Sequence, residues 1–274
     1  MSHPWTEIGD RVFVRRYRFY DQEIGLVLGD GEALVIDTRI SPRQGREILD
    51  DVRALTSLPV STVVDTHAHN DHCFGNQVFR PCTIWGQERA VRFLRETGEQ
   101  QKVGVAREHP TLATDVAEVV LDPPDRTFTD AASIDVGGRE VRLRYVGRGH
   151  TDHDALIIVP DADVLFAGDL VENGAPPYFG DGFPMDWPST IEGMLPLVGE
   201  ATRVVPGHGD VAGRGFVLTS LDQLRGIATL AERIHAGEVS LDEGLGDPGA
   251  PWGGGPLIRE ALDRALGQLR GEIA

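Results

Sequence analysis

The sequence predicts a layered α/β fold, and two features of the chain carry that prediction. Short runs of β-branched and aliphatic residues alternate with longer runs whose apolar residues recur at helical spacing. With 274 residues, the chain is long enough to bury a sizeable core within one domain of this kind. We therefore expect a single domain over residues 1–274, with a C-terminal helical segment at about 213–274.

The N-terminal part of the chain predicts a β-meander followed by a helix. Three strands are expected, at 11–20, 24–28 and 33–37. Gly29-Asp30-Gly31 is typical of a tight turn between two strands. Ser41 followed by Pro42 indicates a helix start, and this helix should end near Ser57. Val60 to Thr66 is rich in β-branched residues and is predicted to be a buried strand.

The middle of the chain contains its least regular segment. Before it, the pattern predicts a short helix at 73–79, a strand at 83–85 and a helix at 87–96. Residues 98–126 then combine mixed charge with Gly98, Gly104 and the pair Pro123-Pro124. Two interpretations stay open for this segment: a partly helical insertion that serves as a lid, or a variable surface excursion without a catalytic role.

The second half of the chain alternates strands and helices again. Gly137-Gly138 predicts the turn of a hairpin with strands at 134–136 and 140–146. Further strands are expected at 155–159, 164–167 and 203–205. Ser189 is typical of an N-terminal cap for a helix over 189–199. Amphipathic helices are expected at 216–235 and 256–270.

Composition limits the classes of partner and location. A formal net charge of −17 argues against a surface for nucleic acid or anionic membrane, because binding phosphate needs clustered Lys and Arg. No apolar run approaches the ~20 residues of a membrane span. The N-terminus lacks the pattern of a secretory signal, so we expect a cytoplasmic protein. We expect a small-molecule substrate and no nucleic-acid or membrane partner. A homo-oligomer is left open.

The most informative stretch runs from Asp65 to His72. It contains three histidines and an aspartate within six residues. His67 and His69 are two residues apart, and on an extended segment such side chains point the same way, so both imidazoles can bind one ion. Asp71 and His72 follow directly and can serve a second ion. Because the stretch follows a predicted strand, these ligands would stand on a rigid base.

This stretch resembles the HxHxDH signature of the metallo-β-lactamase superfamily, and three further elements of that family follow in order. His150 lies in Gly-Arg-Gly-His-Thr, Asp169 ends Leu-Phe-Ala-Gly-Asp, and His208 lies in Pro-Gly-His-Gly. The resemblance extends from about Val12 to about Asp210. It implies a four-layer αββα sandwich with the site at one edge of two packed sheets.

The resemblance also implies a role for each ligand. The first metal ion would be bound by His67, His69 and His150. The second would be bound by Asp71, His72 and His208, and Asp169 would bridge both. Imidazole and carboxylate suit two zinc ions, and a site without a cysteine ligand also accepts manganese or iron.

Such a pair of metal ions implies hydrolytic chemistry. Two ions ~3.5–4 Å apart would share a water and lower its pKa to about 7, and the metal-bound hydroxide would attack a carbonyl or phosphoryl centre. Asp71 is the candidate catalytic residue, because its carboxylate could pass a proton to the leaving group. The two cysteines do not indicate a disulfide framework, and Cys73 is expected to be a packed small residue rather than a ligand or nucleophile.

The substrate is left open by these residues. The first hypothesis is hydrolysis of an ester, thioester or lactone of a small molecule, because the full ligand set resembles that of glyoxalase II and lactonase relatives. However, the C-terminal segment has no pattern that matches the glutathione-binding residues of glyoxalase II. The alternatives are a β-lactamase that cleaves a β-lactam amide, and an oxidoreductase similar to the mononuclear iron persulfide dioxygenases.

A candidate substrate wall follows Asp169. Residues 173–188 interleave glycine and proline with aromatic side chains and should form an irregular loop. The candidate substrate-binding residues are Tyr178, Phe183 and Trp187. The alternative is that these aromatics only fix the loop to the core. His153 is a weaker candidate for a substrate contact.

Overall fold

Twelve strands and eight α-helices are present in residues 4–247 and 249–273, the part of the chain that the computed structural model describes. The chain divides into two compact units. Unit 1 runs through Tyr145 and includes Ala155–Phe166, whereas unit 2 consists of Val146–Asp154 and the chain from Ala167 onward. The expectation of a single domain over residues 1–274 stays a prediction.

Unit 1 contains a seven-stranded sheet whose strands are adjacent in chain order. These strands are β1 (Thr6–Gly9), β2 (Val12–Tyr17), β3 (Gln22–Leu28), β4 (Ala33–Ile36), β5 (Val60–Val64), β6 (Thr83–Gln87) and β7 (Arg126–Phe128). β1 to β4 pair antiparallel, while β4 to β7 pair parallel. Gly31, with φ of +87°, occupies the predicted turn between β3 and β4.

The helices of unit 1 connect the parallel strands. They are α1 (Pro42–Leu55), α2 (Asn70–Cys73), α3 (Glu88–Glu108) and α4 (Ala113–Ala117). α1 begins as predicted, because the Ser41 side chain accepts a hydrogen bond from the backbone N–H of Gln44. Ile48 and Val52 of α1 are buried in the same apolar cluster as Val35 of β4. This packing fixes α1 on one face of the sheet.

A second, antiparallel sheet packs against the first within unit 1. Its strands there are β8 (Ala131–Val136), β9 (Arg139–Arg144), β10 (Leu156–Val159) and β11, which spans Val164–Gly168 and ends in unit 2. Gly25 of β3 faces Phe166 of β11, and a Cβ at Gly25 would lie only 2.5 Å from the Phe166 ring. A glycine is therefore needed at this close approach between the sheets.

Unit 2 is mainly helical. It contains α5 (Trp187–Met194), β12 (Arg203–Pro206), α6 (Arg214–His235), α7 (Leu241–Gly246) and α8 (Pro256–Leu269). α6 packs against both α5 and α8. Ile258 and Leu262 of α8 are fully buried, so the C-terminal helix belongs to the core of this unit. Among the described helices, none combines the length and apolar character needed to cross a membrane.

Five elements differ from the sequence predictions for physical reasons. α3 continues to Glu108 through Gly98, because this glycine packs against Leu121, whose side chain would lie 2.6 Å from an added Cβ. The helix expected from Ser189 begins instead at Trp187, with Pro188 in its first turn. β1, β7 and α7 were not predicted at all, since each is a short element with few apolar residues.

Candidate metal centre

Unit 1 presents four candidate ligands on one short turn after β5. β5 ends at Val64, and α2 begins at Asn70 with His69 as its N-cap residue. The Nε2 atom of His67 lies 3.0 Å from Nδ1 of His69. The Nε2 atom of His72 lies 3.5 Å from Oδ2 of Asp71. The predicted ligands of this stretch are therefore brought together in two pairs.

A buried carboxylate that the sequence reasoning missed lies behind His72. Oδ2 of Asp37 is 2.8 Å from Nδ1 of His72, and Oδ1 of Asp37 accepts a hydrogen bond from the backbone N–H of Thr66 at 2.7 Å. A carboxylate at Nδ1 selects the tautomer in which Nε2 is the ligand nitrogen. The sequence feature that could have indicated this role is an aspartate directly after β4, a strand that pairs parallel with β5.

Two further buried groups anchor the ligand turn. Burial raises the pKa of the Asp65 carboxyl well above its usual range, while the Asn76 side chain donates to it at 2.8 Å. Burial also raises the pKa of the Cys73 thiol well above its usual range. Its Sγ donates to the carbonyl of His69 at 3.3 Å. Cys73 is thus buried in the core beneath the ligand segment, and its role as a packed small residue stays a prediction.

α3 covers the same turn from the other side. Nε2 of Gln101 donates to the carbonyl of Ala68 at 3.2 Å, and Oε1 of Gln101 accepts from Asn70 at 3.4 Å. The ring of Phe93 lies 5.8 Å from the ring of His69. Gln101 falls in the segment 98–126, whose first part continues α3. That part of the segment therefore supports the ligand turn through a direct contact.

Unit 2 places a carboxylate oxygen beside two imidazoles. Asp169 directly follows β11, and its Oδ2 atom lies 3.4 Å from Nε2 of His150 and 3.3 Å from Nε2 of His208. Gly207 lies against the same carboxylate, because a Cβ there would lie 1.7 Å from Oδ1 of Asp169. One carboxylate oxygen thus lies close to the Nε2 atoms of both His150 and His208.

The second ring nitrogen of His150 also has a hydrogen-bond partner. Nδ1 of His150 lies 3.2 Å from the carbonyl oxygen of Tyr178, which can only accept a hydrogen bond. This contact makes Nδ1 the donor and Nε2 the ligand nitrogen. The Asp154 carboxylate accepts from the backbone N–H of Thr151 at 2.8 Å and from its hydroxyl at 2.6 Å. These hydrogen bonds stabilise the turn that carries His150.

The three candidate wall residues differ in exposure. Tyr178 is 52% exposed and Phe183 is half-buried. Trp187, in contrast, is fully buried, and its Nε1 donates to the carbonyl of Leu170 at 3.2 Å. Its ring lies 5.8 Å from His150. The assignment of Trp187 as a substrate contact is corrected to packing beneath a ligand, because its side chain exposes no surface. His153 is buried as well, with Nδ1 2.7 Å from Asp152.

The donor set fits zinc in both chemistry and spacing. Neighbouring ligand atoms of a tetrahedral zinc site lie about 3.3 Å apart, given metal–ligand bonds of about 2.0–2.1 Å. The four ligand-atom separations given above, measured within the units, run from 3.0 to 3.5 Å. Asp37 and the Tyr178 carbonyl additionally supply the outer hydrogen bonds that metal-binding histidines make. The His and Asp side chains of each unit thus have the chemistry and the spacing of metal ligands.

The sequence is similar to known proteins over most of its length. A family model of the metallo-β-lactamase superfamily matches residues 18–208. Metallo-β-lactamase type 2 of Bacillus cereus is 28% identical over 209 residues, which cover 73% of this chain and 72% of the relative. The protein of the same name from Bacteroides fragilis is 26% identical over 196 residues, covering 70% of each chain.

Solved structures show the same fold. The metallo-β-lactamase from Pontibacter korlensis aligns with a TM-score of 0.67 at 21% identity, over 81% of this chain and 98% of that chain. The DIM-1 metallo-β-lactamase aligns with a TM-score of 0.65 at 18% identity, over 81% of this chain and 96% of that chain. The predicted α/β fold with two sheets is confirmed. Because the family model covers well over half of the sequence, the chain belongs to the metallo-β-lactamase superfamily.

Proposed function

We propose that this chain is a metal-dependent hydrolase that holds two divalent metal ions, with zinc as the first candidate. The first ion would be bound by His67, His69 and His150, and the second by Asp71, His72 and His208. This assignment follows the order of the family motif. The observation that carries it is the position of Asp169, whose Oδ2 lies near one imidazole of each set, His150 and His208.

The ligands and their partners prepare the site for hydrolysis. When bound, two such ions lower the pKa of a water and polarise a carbonyl oxygen of the substrate. Asp37 and the Tyr178 carbonyl hold His72 and His150 in the tautomer that presents Nε2. Gln22 donates to the backbone carbonyl of Asp71 and fixes its main chain. Asp71 would then take a proton and deliver it to the leaving group.

The proposed reaction class is hydrolysis of a carbonyl compound of small size. An ester, thioester or lactone is the first candidate substrate class, because the ligand set resembles that of glyoxalase II and lactonase relatives. A β-lactam amide is the second candidate, and the relatives from Bacillus cereus and Bacteroides fragilis, which are named as metallo-β-lactamases, favour it. Tyr178 and Phe183 are proposed as the substrate wall, because both side chains are at least partly exposed.

Initial rates on a small substrate panel test this proposal. The protein is stripped with a chelator, one half is reloaded with zinc, and both are assayed on a thioester, a γ-lactone, a β-lactam and a phosphodiester. We expect zinc-dependent turnover of a carbonyl substrate and none of the phosphodiester. The same rates in the stripped and reloaded protein, or turnover of the phosphodiester alone, would contradict the proposal.

A further inference from the structure

The loop between β11 and α5 depends on residues outside itself for its shape. The described residues 169–186 form neither helix nor strand. They carry Tyr178 and Phe183, the two exposed candidates for the substrate wall. A loop of this length needs anchoring if its side chains are to hold one position. The anchoring groups are therefore candidates for residues that determine substrate selectivity.

Two side chains of the C-terminal helix α8 hold the backbone of this loop. The guanidinium of Arg264 donates to the carbonyl of Asp181 at 2.9 Å, and to that of Gly182 at 2.8 and 3.0 Å. One turn further along α8, Oε1 of Gln268 accepts from the backbone N–H of Met185 at 2.9 Å. Two residues four apart on one helix thus bind the loop backbone at Asp181, Gly182 and Met185.

The same residues also hold the loop through its side chains. Nε2 of Gln268 donates to Oδ2 of Asp186 at 3.1 Å, and Arg148 pairs with that same oxygen at 2.7 Å. Two guanidinium groups lie near the Phe183 ring, that of Arg148 at 4.5 Å and that of Arg264 at 5.9 Å from the ring centroid. The position of the Phe183 ring is therefore coupled to α8.

The anchored loop contacts the ligand His150 and its neighbour. The backbone N–H of Phe183 donates to the carbonyl of Gly149 at 2.8 Å, and the carbonyl of Tyr178 accepts from Nδ1 of His150. A shift of the loop would therefore move the wall residues and would also alter the hydrogen bond that orients the ligand. All of these residues belong to unit 2.

We propose that Arg264 and Gln268 are positioning residues, through which the C-terminal helix fixes the substrate wall and sets which acyl group the site accepts. α8 lies beyond residue 208, where the match to the family model ends, so this device belongs to the chain's own C-terminal segment. The statement about substrate selection depends on the proposed function. The statement about loop position does not.

Paired variants of α8 test both statements. Arg264→Gln removes the forked donor, and Gln268→Glu keeps the acceptor for Met185 but replaces the donor with a charge that repels Asp186. We expect KM for the best substrate to rise about tenfold, corresponding to roughly one lost hydrogen bond, and kcat to change less. We also expect the ratio of kcat/KM between two acyl substrates to change. Arg264→Lys should give an intermediate effect.

Hydrogen exchange gives a second readout that needs no turnover. Exchange in peptides from residues 173–186 should accelerate in both variants, while exchange in α6 stays unchanged. The matched control is Arg270→Gln, because Arg270 is exposed at the end of α8 and pairs with Glu272 instead of the loop. If the wild type cleaves no panel substrate, the proposed function fails, and exchange alone decides the positioning role. If Arg264→Gln and Gln268→Glu both show the hydrogen exchange, the KM and the substrate ratios of the wild type, the inference is overturned.

Discussion

The two units present their proposed metal ligands in different ways. In unit 1, the four proposed ligands lie within residues 67–72, and buried side chains support this segment: Asp37 beside His72, and Asp65 just before the segment. In unit 2, each proposed ligand stands on its own chain segment, and backbone groups contact two of the ligand side chains directly. His150 is oriented by a loop carbonyl, and Asp169 is confined by Gly207.

This difference predicts which substitutions would weaken metal binding in each unit. The proposed ligands of unit 1 should lose metal affinity when a buried partner changes, because their geometry depends on side-chain hydrogen bonds. The proposed ligands of unit 2 should respond to backbone and packing changes, because a loop carbonyl and a glycine contact them. Four substitutions test this comparison, beginning with the largest expected effect.

Replacing Asp169 removes the carboxylate that lies close to the imidazoles of His150 and His208. We expect Asp169→Ala to abolish turnover and to reduce bound metal per chain, since the proposed bridge is lost. Mass spectrometry of the metal content and initial rates on the best panel substrate measure the two effects. Full activity in this variant would contradict the two-metal proposal.

Gly207→Ala tests the backbone support of unit 2. A new Cβ at this position would lie 1.7 Å from Oδ1 of Asp169, so the carboxylate must rotate away from its present position. We expect a large loss of turnover, with a free energy of unfolding lower by about 1–3 kcal/mol.

Gly215→Ala is the matched control, because among the described residues no group outside its own stretch of helix lies within 4 Å of a Cβ placed there. Denaturant unfolding of the metal-free proteins separates loss of stability from loss of the site. If Gly207→Ala behaves like Gly215→Ala in both assays, the glycine does not confine Asp169.

Asp37→Asn tests the side-chain support of unit 1. The amide carries no charge and cannot replace the carboxylate as a strong acceptor for Nδ1 of His72. We expect metal affinity to fall by about 10–100-fold, the range found when such outer partners are changed.

Competition with a chromogenic chelator measures this affinity. Asp50→Asn is the control, because Asp50 is exposed and pairs only with the nearby Arg53 in the contacts described for it. An unchanged affinity in Asp37→Asn would show that His72 does not depend on this carboxylate.

Gln101→Ala should produce the smallest effect. The variant loses the hydrogen bond to the Ala68 carbonyl and the longer one from the Asn70 side chain, which together correspond to about 1 kcal/mol and a few-fold fall in kcat. Steady-state kinetics with Gln100→Ala as the control, an exposed neighbour on α3, measure it. A loss as large as that of Asp169→Ala would mean that α3 does more than support the turn.

The contribution of sequence reasoning also differs between the regions. The candidate ligands after β5 could be predicted, because His67, His69, Asp71 and His72 lie within six residues and follow a strongly β-branched strand. The role of Asp37 could not be predicted. It depends on β4 pairing parallel with β5, and the local sequence pattern does not show which strands pair.

Tertiary packing explains the remaining differences. Gly98 and Gly104 suggested that the helix at 87–96 would end, but α3 continues because Gly98 packs against Leu121. Trp187 resembled a wall residue by its place in an aromatic loop, yet its side chain is buried beside His150. The contacts of Arg264 and Gln268 join segments more than 80 residues apart, which no local pattern encodes.

The metal content of the reconstituted protein tests the central claim most directly. The chain is stripped with a chelator, reloaded with excess zinc, desalted, and analysed for zinc per chain by mass spectrometry. Two ligand sets that share Asp169 predict two zinc ions per chain. A value below one ion per chain would contradict the account, because the two sets would then not form a metal centre with zinc.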